Sequence, residues 1–253
     1  MFRSWPGDQG EIAAFVAVAD EVRGRRVLDI GIGGGRTTYL FRLLTHDYVG
    51  VDSAPNMVDA CRRNFPDGDI RLGDARDLRE FPDDSFALVC FSNNGIDAVG
   101  HEDRARVLDE FVRVAEPGGL IYYSSHNRHG SSFDERPWQL HRPYERRNLT
   151  PRSLIVGPGR VVLHAGRYLE SYRNYFRSRK HQVVEDDWAL APLRAHEYGP
   201  LVHFTSEGAL RGELEGRGLD IVRLTTMDGE TIAPGSPETH THYFHVVART
   251  PSR

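Results

Sequence analysis

The sequence predicts an α/β fold in which a largely parallel sheet carries helices on both faces. Two observations predict it. In the run Val27-Leu28-Asp29-Ile30-Gly31-Ile32-Gly33-Gly34-Gly35-Arg36-Thr37-Thr38, an apolar strand enters a glycine turn that opens a helix. Glycine has no Cβ, so the backbone there can take positive φ and lie close to a ligand. The second is the nearly continuous apolar run Phe86-Ala87-Leu88-Val89-Cys90-Phe91-Ser92, the pattern of a strand buried on both faces.

The other elements follow in order. Ala/Val-rich Glu11 to Val22 predicts a helix whose start is marked by Trp5-Pro6-Gly7-Asp8. Asp47 to Asp52 is a second strand ending in an acid, about 20 residues beyond the glycines as ribose-binding acids usually are. Ile70 to Leu72 is a third, followed by Gly73-Asp74-Ala75. Asn93-Asn94-Gly95-Ile96-Asp97 stands at the C-terminal end of the fourth, where open α/β sheets bind ligands. From Arg104 to Ala115, Val107, Leu108, Phe111, Val112 and Ala115 recur at helical spacing until Glu116-Pro117-Gly118-Gly119 stops the helix. Leu120 to Ser125 is a fifth strand. Thr205 to Gly218 predicts a helix capped by Ser206 or Thr205, before strands at Leu219 to Met227 and Tyr243 to Arg249.

Glycine spacing narrows the cofactor. A dinucleotide fingerprint needs its third glycine where this chain has Arg36, and no Lys-Ser or Lys-Thr follows to make a phosphate loop. What is left, D-x-G-x-G-x-G at Asp29, Gly31, Gly33 and Gly35, resembles motif I of the class I S-adenosylmethionine (SAM) dependent methyltransferases. The Arg113-Val114 and Pro117-Gly118-Gly119 pattern before a strand is similar to another of that family's motifs. The resemblance implies a Rossmann-like seven-stranded mixed sheet of order 3-2-1-4-5-7-6, its last two strands an antiparallel hairpin. It implies one domain over residues 1–253, with 126–200 as a substrate-binding insert or lid after strand 5. SAM is then the cofactor, with Asp29 near its amino-acid end, Asp52 on the ribose hydroxyls and Asp74 beside the adenine amino group. Gly31, Gly33, Gly35, Thr37, Ser53, Met57, Ala75, Asn93 and Asn94 complete the implied cofactor set. Phe2 and Trp5 are either lid residues or surface anchors.

Connections in α/β domains usually run about 2–6 residues, so His126 to Pro200 is long enough to choose a substrate. Within it, Val161 to Arg177 fits a short helix or a cross-strand platform. Arg142, Arg146, Arg147, Arg152, Arg173, Arg177, Arg179 and Lys180 either meet an acidic substrate or form a solvated face balanced by Glu185, Asp186 and Asp187. Asn94-Gly95-Ile96-Asp97, Ser124-Ser125-His126-Asn127 and His196-Glu197-Tyr198 resemble elements of a bacterial small-molecule subset of the family. A sulfonium methyl is already activated, so transfer needs in-line placement and, for a hydroxyl acceptor, a base. His126, His196, Tyr198 and His203 are the candidates.

A net charge of -4 with 12 histidines gives no strong field for nucleic acid or an anionic membrane. No apolar run approaches about 18 residues and Met1 to Gly10 lacks a signal-peptide core, so a cytoplasmic protein is expected. Cys61 and Cys90, far apart, predict reduced core thiols. His240 and His242 on one face of an edge strand, with His245 pointing away, fall short of the three or four ligands of zinc, so no metal is expected. The chain lacks Asn/Asp-Pro-Pro-Tyr after the fourth strand and a Pro-Cys nucleophile, which disfavours exocyclic amino and cytosine C5 methylation. The expected activity is methyl transfer to oxygen or nitrogen of a small metabolite, a sugar or natural-product intermediate. The expected partner is that acceptor, with neither membrane nor duplex nucleic acid and with the oligomeric state, a homodimer included, left open. The alternatives are a tRNA or protein methyltransferase, or a SAM-binding protein or aminopropyl transferase.

Overall fold

A computed structural model describes residues 7–138, 165–236 and 239–252. The glycine turn joins Val27–Ile30 (β1) to Arg36–Leu44 (α2), behind a leading helix at Gln9–Val22 (α1). Tyr48–Asp52 (β2), Pro55–Asn64 (α3), Asp69–Leu72 (β3), Phe86–Phe91 (β4), His101–Val114 (α4) and Ala115–Asn127 (β5) follow. Between β5 and the next core helix lie Ala165–Ser178 (α5), Val183–Val184 (β6), Trp188–Pro192 (β7) and Leu201–Thr205 (β8). The chain closes with Glu207–Glu215 (α6), Asp220–Thr226 (β9) and Tyr243–Arg249 (β10).

Local chemistry sets several boundaries. The Asp8 carboxylate caps α1 by accepting from Glu11 N at 2.9 Å, Pro55 opens α3, and Ser206 caps α6 through Ala209 N. The expected break at Glu116 to Gly119 does stop α4, but the chain is already extended there, because Ala115 pairs with Phe86 as β5 begins. The aromatic stretch after Val161, helix or platform by sequence, is helix α5 over its described part.

The sheet runs β3-β2-β1-β4-β5, all parallel, then β10, antiparallel to β5, and β9, antiparallel to β10. This is the expected order 3-2-1-4-5-7-6, with β10 and β9 as seventh and sixth. The strand count differs: the sheet has 10 strands, because β8, β7 and β6 of the insert extend it. β5 explains how. It runs on to Asn127, while its pairing with β4 ends at Tyr123, so its free edge takes up β8 at His126↔Phe204 and Asn127↔Thr205. His126 therefore sits where the sheet forks, with β10 on one side, Tyr243 opposite it, and β8 on the other.

Alternation along the strands sorts the core. Leu28, Ile30, Val49, Val51, Val89 and Ile121 face α4 and α6 through Val107, Phe111 and Leu210. Val27, Tyr48, Leu88, Cys90 and Tyr122 face α1 to α3 through Val18, Phe41 and Val58. Cys61 and Cys90 are free and buried. β10 is an interior strand and not the expected edge: His245 is buried in it, bonded to Tyr122 and Asp8. Among the described residues no helix is long and apolar enough to cross a membrane, and no group of three His, Cys, Asp or Glu could hold a metal ion.

Candidate active site

The strand order determines the order of the candidate residues. Asp74 follows β3, Asp52 ends β2, Gly33 follows β1, Asn93 and Asn94 follow β4, and His126 ends β5, so they line up along one edge of the sheet. Ligands of such sheets bind outside the strands' carboxyl ends, at the point where the strand order reverses, here between β1 and β4.

Three of the four glycines of the turn, Gly31, Gly33 and Gly35, do different jobs. A Cβ at Gly31 would lie 2.5 Å from the Phe91 ring and one at Gly35 2.4 Å from the Phe65 ring, so these two make room for core packing rather than for a ligand. Gly33, at φ +54, has nothing within 4 Å of its Cβ position. Of these three it alone leaves open space, a cradle that a side chain would enter. Its N–H donates to Asp52 Oδ2 at 2.8 Å while Ala54 N–H donates to Oδ1 at 2.9 Å, which fixes the carboxylate beside the cradle with lone pairs to spare. Open backbone next to a fixed acid fits a ribose diol.

Two members of the expected cofactor set, Asp29 and Thr37, are buried beneath the turn. Asp29 is fully buried, and its Oδ2 accepts from Thr37 Oγ1 at 2.6 Å and Tyr48 Oη at 2.8 Å. Burial raises the Asp29 carboxyl to about 6, even against the hydrogen bonds from Thr37 and Tyr48. The folded state thus keeps a proton that the unfolded chain releases near 3.8, and stability from this group is lost as pH rises through that window. Asp29→Asn is therefore expected to stabilise the fold at pH 7 by up to about 3 kcal/mol and by almost nothing at pH 4. Denaturant unfolding of both proteins at the two pH values checks it; an equal difference at both would count against the buried charge.

Ser53 and Met57 are exposed near the start of α3, and Ala75 is buried. Asp74 lies at the expected place but is engaged by Arg76, whose Nη2 donates to Oδ2 at 2.6 Å. That hydrogen bond, against burial, holds the Asp74 carboxyl below its ordinary range.

A cavity of about 300 Å³ opens between Gly7, Asp8 and Glu11 at the start of α1, Arg36, Asn93 and Tyr243. Arg36 donates to Glu11 Oε2 at 2.5 Å and Oε1 at 2.7 Å, and Asp8 accepts from Tyr243 Oη at 2.5 Å. One cation and two carboxylates on one small wall suit a zwitterion. Asp8, Glu11 and Arg36 were not among the expected site residues.

A second cavity of about 340 Å³ shares Asn93 and Tyr243 with the first, and is also lined by Asn94, His126, His196, His242, Leu193 and Val202. His126 Nδ1 lies 2.8 Å from Asp97 Oδ2, an oxygen that also accepts from His126 N–H at 2.6 Å. Asn94 Nδ2 is 3.3 Å from His126 Nε2. With the Nδ1 proton on the carboxylate side, Nε2 carries the lone pair and accepts the Asn94 amide N–H, a partner that an acceptor hydroxyl would replace. Burial alone would raise the Asp97 carboxyl, but the His126 hydrogen bond and the Arg104 guanidinium hold it below its ordinary range. Asn93 and Asn94 form the loop over this pair in successive left-handed conformations, φ +55 and +56, which asparagine tolerates better than bulkier residues.

Of the other expected bases, His196 lines the cavity; desolvation and the His126 ring lower its imidazole. His203 and Tyr198 do not line it. Alternation along β8 turns Val202 to the cavity and His203 to the opposite side, where His203 Nε2 meets His101 Nδ1 at 2.9 Å beside Trp188. Desolvation drops His203 to about 3. Tyr198 is buried against Tyr175, and desolvation pushes its phenol up to about 12, the wrong direction for a base. His242 lines the cavity from just before β10, and its imidazole is lowered by desolvation. Arg173, Arg177, Arg179 and Lys180 are exposed and line neither cavity. Arg142, Arg146, Arg147, Arg152, Phe2 and Trp5 lie outside the described residues.

Residues 27–119 match the family described as a methyltransferase domain. The malonyl-[acyl-carrier protein] O-methyltransferase of Yersinia pestis is 34% identical over 110 residues, 44% of this chain and 40% of that protein. The ubiquinone biosynthesis O-methyltransferase of Xanthomonas oryzae pv. oryzae is 27% identical over 125 residues, 47% of this chain and 50% of that one. The matched part thus spans no more than half of either relative's length. An S-adenosylmethionine dependent methyltransferase from Mesorhizobium loti shares the fold at TM-score 0.59 and 19% identity, covering 95% of this chain and 97% of that one. A Burkholderia thailandensis 1,6-didemethyltoxoflavin-N1-methyltransferase, solved with 1,6-didemethyltoxoflavin and S-adenosylhomocysteine, shares it at TM-score 0.56 and 15% identity, covering 95% and 77%.

Proposed function

We propose that this chain, whose residues 27–119 match the methyltransferase-domain family, is a class I SAM-dependent methyltransferase that methylates a nucleophilic atom, foremost a hydroxyl oxygen, of a small metabolite. One observation carries the reading: an Asp97–His126 pair stands on the wall of a cavity that shares Asn93 and Tyr243 with the zwitterion-lined cavity beside the glycine turn. A carboxylate-oriented imidazole suits a hydroxyl, whose proton must leave as the O–C bond forms, better than an amine that arrives neutral. The relatives from Y. pestis and X. oryzae are both named O-methyltransferases, which supports the same preference.

SAM supplies an activated methyl group. The residues of this chain divide the remaining work. The Gly33 backbone and Asp52 hold the ribose, Asp74 with Ala75 and Met57 borders the adenine, and Arg36 with Asp8 and Glu11 takes the methionine carboxylate and ammonium. His126 Nε2 accepts the acceptor's proton while Asp97 steadies the imidazolium. His196, His242 and Asn93 orient the acceptor. Residues 126–200 act as the substrate-binding insert, contributing His126, Ser132, Leu193, Ala195 and His196 to the cavity wall.

Incubation with SAM and whole-cell extract tests the reading. S-adenosylhomocysteine and a methylated small molecule are expected. Methylthioadenosine would show instead transfer of the aminocarboxypropyl group of SAM, or of the aminopropyl group of its decarboxylated form, methyl found only on RNA or protein would move the acceptor to a macromolecule, and no product would leave a SAM-binding protein.

A further inference from the structure

Arg104 is fully buried in α4 and touches neither cavity, yet it is tied to the proposed base. Its Nη1 donates to Asp97 Oδ1 at 2.9 Å, and its Nε lies 3.0 Å from Glu213 Oε1 on α6. Ser125 Oγ donates to the same Asp97 Oδ1 at 2.7 Å, leaving Oδ2 to the backbone N–H and ring of His126. The charges thus alternate from Glu213 through Arg104 to Asp97, with His126 at the end. Burying such a series costs desolvation that well-packed apolar side chains would avoid, so stability alone gives it little reason to exist.

Its chemistry supplies one. If Asp97 were neutral, its proton could sit on Oδ2 and donate to Nδ1, driving the imidazole proton to Nε2. The base would then present a donor to the acceptor instead of a lone pair. An ionised Asp97 can only accept, which fixes the proton on Nδ1. A guanidinium cannot lose its charge in a protein and holds a carboxylate in a fixed orientation, which makes arginine the suitable neighbour.

We propose that Arg104 is a positioning residue that sets the tautomer of His126 by keeping Asp97 ionised and oriented. The proposal rests on His126 being the base. It also explains why Asn94 to Asp97 and Ser124 to Asn127, separate in sequence, form one unit: Asn94 N–H donates to Ser124 Oγ at 2.7 Å, and Asp97 receives Ser125 and His126.

Two-bond proton–nitrogen NMR of the imidazoles in the whole 253-residue chain reads the tautomer without an acceptor. In the wild type, His126 is expected to carry its proton on Nδ1; finding it on Nε2 overturns the proposal. In Arg104→Gln and Arg104→Met the Nε2–H form should appear, with S-adenosylhomocysteine affinity held within about threefold and kcat down at least tenfold at unchanged KM for SAM. Arg104→Lys should restore the Nδ1–H form. A merely structural arginine would lower the melting temperature and leave the tautomer as it was, and that result also overturns the proposal. The outcome is separable from the functional reading: His126→Ala with full turnover would dismiss the base while leaving the tautomer result standing.

Discussion

Gly33→Val is expected to abolish measurable SAM binding, and Asp52→Ala to weaken it about ten- to a hundredfold. At Gly33 two penalties combine. The residue sits at φ +54, a conformation costly for a β-branched side chain, and the added atoms would enter the open space of the cradle. At Asp52 the loss is of charge-assisted hydrogen bonds to the ribose, about 1.5–3 kcal/mol. Asp52 also receives the N–H groups of Gly33 and Ala54, so its removal loosens the turn as well. Titration calorimetry with S-adenosylhomocysteine measures both, and wild-type affinity in either variant would remove that residue from the cofactor site. Gly31→Ala should instead act through stability, because its Cβ would strike the Phe91 ring.

His126→Ala is expected to lower kcat by about 10²–10⁴ on a hydroxyl acceptor, the usual range for a lost general base. Cofactor affinity should be almost unchanged, because His126 lines the acceptor cavity and not the zwitterion-lined one. Asp97→Asn should also reduce kcat, since an amide can direct its N–H at Nδ1 and favour the wrong tautomer. If the acceptor proves to be an amine that arrives neutral, the His126 effect shrinks toward that of lost positioning.

The sequence disclosed the sheet because its signals are local and redundant. An apolar strand, a glycine turn and a helix in immediate succession admit few other structures, and the acids ending β2 and following β3 lie at the sheet edge simply because the strands are parallel. The site was less accessible, since it depends on contacts far apart in sequence. Asp97 stood in view within Asn94-Gly95-Ile96-Asp97, but its role appears only when β5 brings His126 to it across 29 positions. Arg36 entered the sequence argument as the residue that spoils a dinucleotide spacing, and nothing local indicated that it would pair with Glu11 beside a cavity. His203 and Val202 could not be told apart without the register of β8 on β5, a one-residue matter that decides which side chain faces the acceptor. For Asp29 the motif acid is visible in sequence, but the hydroxyls of Thr37 and Tyr48 that bond it are visible only in the fold.

The central claim, that His126 acts on an acceptor in one cavity while the cofactor is held beside it, is tested most directly by a single-turnover measurement. Wild type and His126→Ala are each saturated with methyl-labelled SAM, and the rate of label transfer to the identified acceptor is read beside the cofactor dissociation constant. The account predicts a transfer rate lower by about 10²–10⁴ at an unchanged dissociation constant. Equal transfer rates in the two proteins would contradict it.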